Sequence, residues 1–141
     1  MIALLAILMS APASAVDASN SSSRFTLSCE SQNPKAPIPK YLIDVNLDRR
    51  SYYVDTQFGG LDEVDAAYDD RILFRRNGRD VHGLPMFVLN EYDRSSGYWF
   101  YTVGSDRRHH PGTKPDAICS AVPAREHFKA DVSYRPKGAT E

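Results

Sequence analysis

The sequence lacks the features that would assign it to several large classes of protein. It has 141 residues but only two cysteines and one tryptophan, and its 17 lysines and arginines nearly balance 18 aspartates and glutamates. A formal net charge of −1 provides no overall field that would draw the chain to nucleic acid or to an anionic membrane. We therefore expect neither to be its main partner.

Long apolar runs are also scarce. The run at residues 2–9 is far shorter than the roughly 20 residues that a membrane span requires, so we expect no span. It is followed by Ala-Ser-Ala at 13–15, an order typical of a secretory leader. The sequence therefore predicts a signal peptide over 1–15, a disordered linker over 16–24 and a periplasmic or secreted protein.

The two cysteines, Cys29 and Cys119, lie near the beginning and the end of the predicted mature domain. Two cysteines in an exported chain usually form one disulfide. Neither belongs to a Cys-x-x-Cys motif, the spacing typical of a redox-active pair. We predict a structural disulfide that places the first and last strands side by side. It would stabilise the fold by about 4 to 5 kcal/mol in the chain-entropy model.

Apolar and polar residues alternate along most of the chain, which is the pattern of half-buried strands. Polar turn residues at 48–51 separate two such strands, and the glycine-containing turn at 93–97 separates two more. Gly97 is expected at positive φ. We predict an all-β fold, a small antiparallel barrel or sandwich, with one domain over 25–128 and a loose tail over 129–141.

One segment has helical spacing instead. Leu61, Val64 and Tyr68 lie at i, i+3 and i+7, and acidic residues fill the other faces. We predict a short helix or loop insertion at 60–70. Arginines follow this acidic segment directly, and we expect them to neutralise it across a loop. An anion site at Arg75 and Arg76 is the alternative.

The motif Asp-Arg-Ser-Ser-Gly-Tyr at 93–98, with an early and a late cysteine, resembles small exported β proteins of alphaproteobacteria. That resemblance implies export and a β fold and carries over no catalytic residue. The layout is more distantly similar to periplasmic inhibitors of C-type lysozyme, small disulfide-bearing β-barrels that insert a Ser-Gly loop and a tyrosine into the lysozyme cleft. The similarity implies such a role for Ser96, Gly97 and Tyr98.

No motif in the sequence identifies a catalytic site. Gly-x-Ser-x-Gly, Ser-x-x-Lys and His-Glu-x-x-His are all missing. Neighbouring side chains of an extended chain point apart, so His109 and His110 are not expected to share a metal ion. We predict no catalytic residue, metal or cofactor, although a hydrolase of cell-envelope polymers, with a site assembled only by the fold, is the alternative.

The sequence instead favours a small monomeric binding or interaction module whose partner is an unknown protein or an envelope polymer. Loops held by a rigid sheet are the usual place for recognition residues. An outward-facing Trp99 and Tyr101, together with Tyr53, would form an aromatic patch that marks a binding surface. The expected binding residues lie in one turn and one long loop and would attract an acidic partner: Arg94, Ser96, Gly97, Tyr98, Arg107, Arg108, His109 and His110.

Overall fold

Eight antiparallel strands form one closed barrel in a computed structural model that describes residues 22–57, 59–101, 103 and 107–135. The predicted signal peptide and most of the predicted linker lie outside these residues. The all-β prediction is confirmed, and the barrel is the form adopted. The strands are β1 (Arg24–Ser31), β2 (Lys40–Asn46), β3 (Ser51–Asp55), β4 (Leu61–Ala67), β5 (Arg71–Arg79), β6 (Pro85–Asp93), β7 (Tyr98–Phe100) and β8 (Ala117–Pro123).

Each strand pairs with the next one along the chain, and β8 closes the barrel by pairing with β1. In this closing pair Cys29 lies directly opposite Cys119, with 4.0 Å between their Cα atoms, and the two form a disulfide. The predicted disulfide and the predicted neighbourhood of the first and last strands are confirmed.

The barrel interior is filled by every second residue of the strands, as strand geometry requires. At its centre the ring of Phe74 lies 4.8 Å from that of Tyr52 and 4.9 Å from that of Trp99, measured between centroids. Trp99 is therefore inside the barrel and is buried. The aromatic patch that required an outward-facing Trp99 does not form.

The helix predicted at 60–70 is wrong, because residues Leu61–Ala67 form β4. This strand pairs with β3 and β5, and its register shifts between Val64 and Ala66. A closed barrel must satisfy the backbone groups of both neighbouring strands, and only an extended chain can do so. The helical spacing of three apolar residues is a weaker constraint than these two ladders.

The segment after β8 covers the outside of β1, β2 and β3. Asp44 is fully buried there and accepts hydrogen bonds from Thr26 Oγ1, from the Arg125 guanidinium and from the backbone N–H of Lys129. Ser51 Oγ donates to the carbonyl oxygen of Ala130, which is also buried. Residues 129–131 are thus held against the barrel, unlike the loose tail predicted from 129 onward. Residues 136–141 of that tail lie outside the described chain.

Two further carboxylates anchor the same segment. A hydrogen bond from Arg125 lowers the pKa of Asp55, and one from Arg24 lowers the pKa of Asp131. Because each folded-state pKa is below the unfolded value, these pairs stabilise the fold above the unfolded pKa. That contribution is lost as the pH falls through the folded-state pKa.

Replacing Arg125 with Met should destabilise the protein by about 3 kcal/mol, because Asp44 would be left as a buried charge without its cation. Urea unfolding at pH 7 measures the change. Arg49→Met is the matched control, since the exposed Arg49 acts on a carboxylate, that of the exposed Asp131, only through space and faces no buried charge. A double variant that also carries Asp44→Asn should recover part of the loss. Equal stability of the two arginine variants would contradict the buried pair.

Gly97 and Gly83 allow a second test, because both have positive φ, 78° and 77°. A Cβ atom on Gly97 would lie 2.6 Å from the carbonyl oxygen of Cys119, whereas one on Gly83 would meet nothing within 4 Å. Gly83→Ala should cost about 1 kcal/mol for its backbone conformation. Gly97→Ala should cost on the order of 3 kcal/mol, because the start of β7 must also move away from β8. Similar melting temperatures for the two variants would show that the close approach to Cys119 is not a constraint.

Candidate functional site

A cavity of about 290 Å³ opens at one end of the barrel. The β1–β2 and β3–β4 connections border it, and we call this end the mouth. An eight-stranded barrel is just wide enough to hold one small ligand where its interior is not filled by side chains. The lining residues are Ser31, Ala36, Pro37, Ile38, Tyr41, Ile43, Tyr52, Val54, Thr56, Gly59, Gly60, Asp62, Arg76, Asn90, Trp99 and Tyr101.

Aromatic side chains form much of the cavity wall. The hydroxyl oxygens of Tyr41 and Tyr101 lie 3.2 Å apart and join the first hairpin to the end of β7. Tyr52 lies deeper and donates a hydrogen bond to the carbonyl oxygen of Arg75. Burial raises the pKa of both Tyr41 and Tyr52, so both are neutral at physiological pH. The wall therefore offers ring faces and hydroxyl groups without charge.

Besides the hydroxyl groups and the amide of Asn90, the lining includes a tryptophan, a carboxylic acid and an arginine. The Nε1 atom of Trp99 is buried and has no hydrogen-bond acceptor among the described residues. Asp62 is half-buried, and burial raises the pKa of its carboxyl group against opposing contacts with Asn77 and Arg76. The side chain of the exposed Arg76 makes no hydrogen bond or ion pair with a described residue, although the side chains of most other arginines of this protein do. The cavity therefore combines one buried donor, one carboxyl group and one accessible cation.

The predicted turn lies at the opposite end of the barrel, because successive connections of an up-and-down barrel alternate between its ends. Gly97 has the predicted positive φ, and Ser96 and Tyr98 are exposed. The backbone N–H of Arg94 donates a hydrogen bond to the carbonyl oxygen of Asp70. Asp93 accepts hydrogen bonds from Ser95 and Ser96. Burial favours a higher pKa for Asp93, but these bonds outweigh it and lower the pKa.

The described part of the predicted binding loop lies on the outer face of the barrel. Arg107 pairs with Asp65 and Arg108 with Asp70. Two cations that were expected to face a partner are thus engaged within the chain. They also neutralise Asp65 and Asp70, which we had expected to pair with the arginines of β5, and Arg71 of β5 does pair with Asp70. Residues 104–106 of the same loop lie outside the described chain.

His109 is the anchor of this loop. Its ring stacks on Phe100 with 3.9 Å between centroids, and its Nδ1 lies 2.9 Å from a carboxylate oxygen of the buried Glu91. Its backbone N–H donates to the other oxygen of the same carboxylate. His110 remains exposed. His109 therefore fills a structural position, and no described residue of the turn at 93–98 or of the loop segment 107–110 lines the cavity.

Three residues of the cavity lining, Tyr41, Asp62 and Asn90, were not predicted to bind a ligand. Strand alternation predicts Tyr41 on one face with Ile43 and Val45, but it does not show that the space beside Tyr41 is unfilled. For Asp62 the signal was missing, because its segment was predicted to be helical. Which end of the barrel is left unfilled depends on all eight strands together and has no local sequence signal.

The described residues contain no group of three or more His, Cys, Asp or Glu side chains that could hold a metal ion. Within the same residues there is no helix long and apolar enough to cross a membrane.

Comparisons with known proteins found no matching family model, no matching curated protein and no matching solved structure. The function must therefore be inferred from the geometry of this chain.

Proposed function

We propose that the protein is an exported binding protein that holds one small molecule in the cavity at the mouth. One observation carries the proposal: Trp99 lines this cavity, and its buried N–H has no acceptor among the described residues. A buried donor without a partner costs about 1 to 3 kcal/mol. A ligand that brings an acceptor to Nε1 removes that cost, so binding is favoured at this position.

The lining defines the chemical class of the ligand. Ring faces of tyrosine favour an apolar or aromatic body, while Trp99 and Arg76 both offer donors to an acceptor group. A carboxylate satisfies both donors, because it accepts several hydrogen bonds and carries the charge opposite to that of arginine. The volume is at the lower end of the roughly 300 to 1,000 Å³ typical of ligand pockets. We infer a ligand of one or two rings with an acidic group.

The same lining favours binding over hydrolysis of an envelope polymer. Its described residues include one carboxylate, Asp62, and no histidine. Glycoside hydrolysis normally requires two carboxylates on either side of the bond, and nucleophilic catalysis requires a base beside the nucleophile. The export part of the proposal is supported by the disulfide, which persists in oxidising compartments, and by the leader-like residues 1–15.

Trp99 is the only tryptophan, so its fluorescence reports directly on the cavity. Cyclohexanecarboxylate, cyclohexylmethanol and cyclohexylmethylamine share one ring and do not absorb near the tryptophan band. We expect the carboxylate to change the emission saturably and to raise the melting temperature. The alcohol should bind more weakly, and the amine should bind least.

Arg76→Gln should weaken binding of the carboxylate about tenfold and leave the alcohol unchanged, because only the charged hydrogen bond is lost. Arg49→Gln is the control for a general loss of positive charge. The ligand proposal fails if none of the three compounds changes the emission. The acidic-group assignment fails if Arg76→Gln affects the alcohol as strongly as the carboxylate.

Asp62→Asn tests the electrostatics of the cavity. Because burial raises the folded-state pKa of Asp62 above its unfolded value, ionisation of Asp62 destabilises the fold as the pH rises through that pKa. The stability advantage of the variant over the parent should therefore grow from about pH 4 to pH 7. At pH 7 the variant should also bind cyclohexanecarboxylate more tightly, because a repelling charge is gone. Asp69→Asn, on an exposed residue outside the cavity lining, should do neither. A constant stability difference across this range would contradict the raised pKa.

A further inference from the structure

Strands β5 and β6 extend beyond their neighbours at the mouth. The pairing of β5 with β4 ends at Arg75, and the pairing of β6 with β7 does not begin until Glu91. Between these positions the two strands pair with each other, from Arg76 opposite Val88 to Arg79 opposite Pro85. Residues 76–88 therefore form a two-stranded projection, which we call the arm.

The tip of the arm is apolar and exposed to solvent. Val81 is 95% exposed and Leu84 is 61% exposed, and both lie in the turn between the strands. Met86 and Phe87 follow and are about half-exposed. Large apolar side chains grouped on one projecting turn are a mark of an interaction surface. The tip is the turn of a two-stranded hairpin, and a narrow turn is suited to insertion into a soft phase.

The stem behind this tip is cationic. The arm carries two arginines on β5, Arg76 and Arg79, and one acidic residue, Asp80, while Arg75 lies just before the arm with its guanidinium over the Phe87 ring. Asp80 Oδ1 accepts hydrogen bonds from the backbone N–H groups of His82 and Leu84, so this carboxylate holds the turn in shape. The arm thus has a local positive charge, although the whole chain has a net charge of −1.

We propose that the arm docks onto an anionic lipid bilayer, with Val81 and Leu84 at the boundary between headgroups and acyl chains. Arg79 is the last residue of β5 and pairs with Pro85, so it lies directly behind the turn that carries Val81 and Leu84. Side chains of interfacial segments insert about 5 to 10 Å, so Arg79 would lie at the depth of the lipid phosphates. The order of apolar tip and cationic stem matches the order of layers in an anionic bilayer.

This inference goes beyond the proposed binding of a small acid and does not depend on it. The overall charge balance suggested no affinity for an anionic membrane, but surface charges act over about 8 to 10 Å at physiological salt. The arginines of the arm, and not the distant acidic residues, therefore decide the interaction. Arg76 belongs both to the arm and to the cavity wall, so docking would bring the mouth close to the bilayer.

Cosedimentation of the full chain with vesicles tests the inference. We expect the parent to sediment with phosphatidylcholine vesicles that contain phosphatidylglycerol, to bind pure phosphatidylcholine weakly and to be released by high salt. Val81→Ser combined with Leu84→Ser should weaken binding about tenfold. Arg79→Gln should weaken it several-fold and reduce its dependence on salt. The apolar residues 2–9 are common to all variants, so only differences between variants are counted.

Val132→Ser is the matched control, because Val132 is 52% exposed and lies outside the arm. It should bind vesicles like the parent. The inference is overturned if the parent ignores phosphatidylglycerol or if the tip variant binds as well as the parent. It is also overturned if, in ultracentrifugation without lipid, the parent is a dimer and the tip variant is a monomer, since the tip would then contact a second copy. Trp99 fluorescence with cyclohexanecarboxylate, measured on the same variants, separates failure of docking from failure of the cavity.

Discussion

Pairing of β1 with β8 is the contact on which the rest of the structure depends. The two strands come from opposite ends of the described domain, so their pairing carries the largest loop-closure entropy of any ladder in the barrel. The Cys29–Cys119 disulfide makes this closure permanent. Without the pairing of β1 with β8 the sheet would have two open edges, and the interior that contains Trp99 would not be enclosed.

Outside the barrel, two buried carboxylates organise the irregular parts of the chain in the same way. Asp44 binds the segment after β8 through Arg125 and the backbone of Lys129. Glu91 binds the β7–β8 loop through the ring and the backbone of His109. In each case an ionisable side chain that could not be buried alone is satisfied by the segment that covers it. The two segments thus become a second layer over the barrel.

This second layer separates the structural uses of charge from the proposed functional ones. Arg107, Arg108 and Arg125 are engaged in ion pairs that hold covering segments. Arg76 and Arg79 instead lie on the projecting part of β5, beside the mouth. The cavity and the arm therefore occupy one end of the molecule, where Asn77 of the arm donates a hydrogen bond to the hydroxyl group of Tyr134 in the segment after β8.

Local sequence determined the strands whose alternation is strong, the tight turn at Gly97, and the disulfide, because each follows from a few neighbouring residues or from the cysteine count. The segment Leu61–Ala67 escaped prediction because its conformation is imposed by hydrogen bonds from β3 and β5, which no local pattern reveals. The role of the predicted binding loop was misjudged for a related reason. Its charges look available in sequence, and only the tertiary structure supplies Asp65, Asp70 and Glu91 as their partners. The cavity was likewise decided by tertiary structure, since an unfilled space exists only where the side chains of many strands fail to meet.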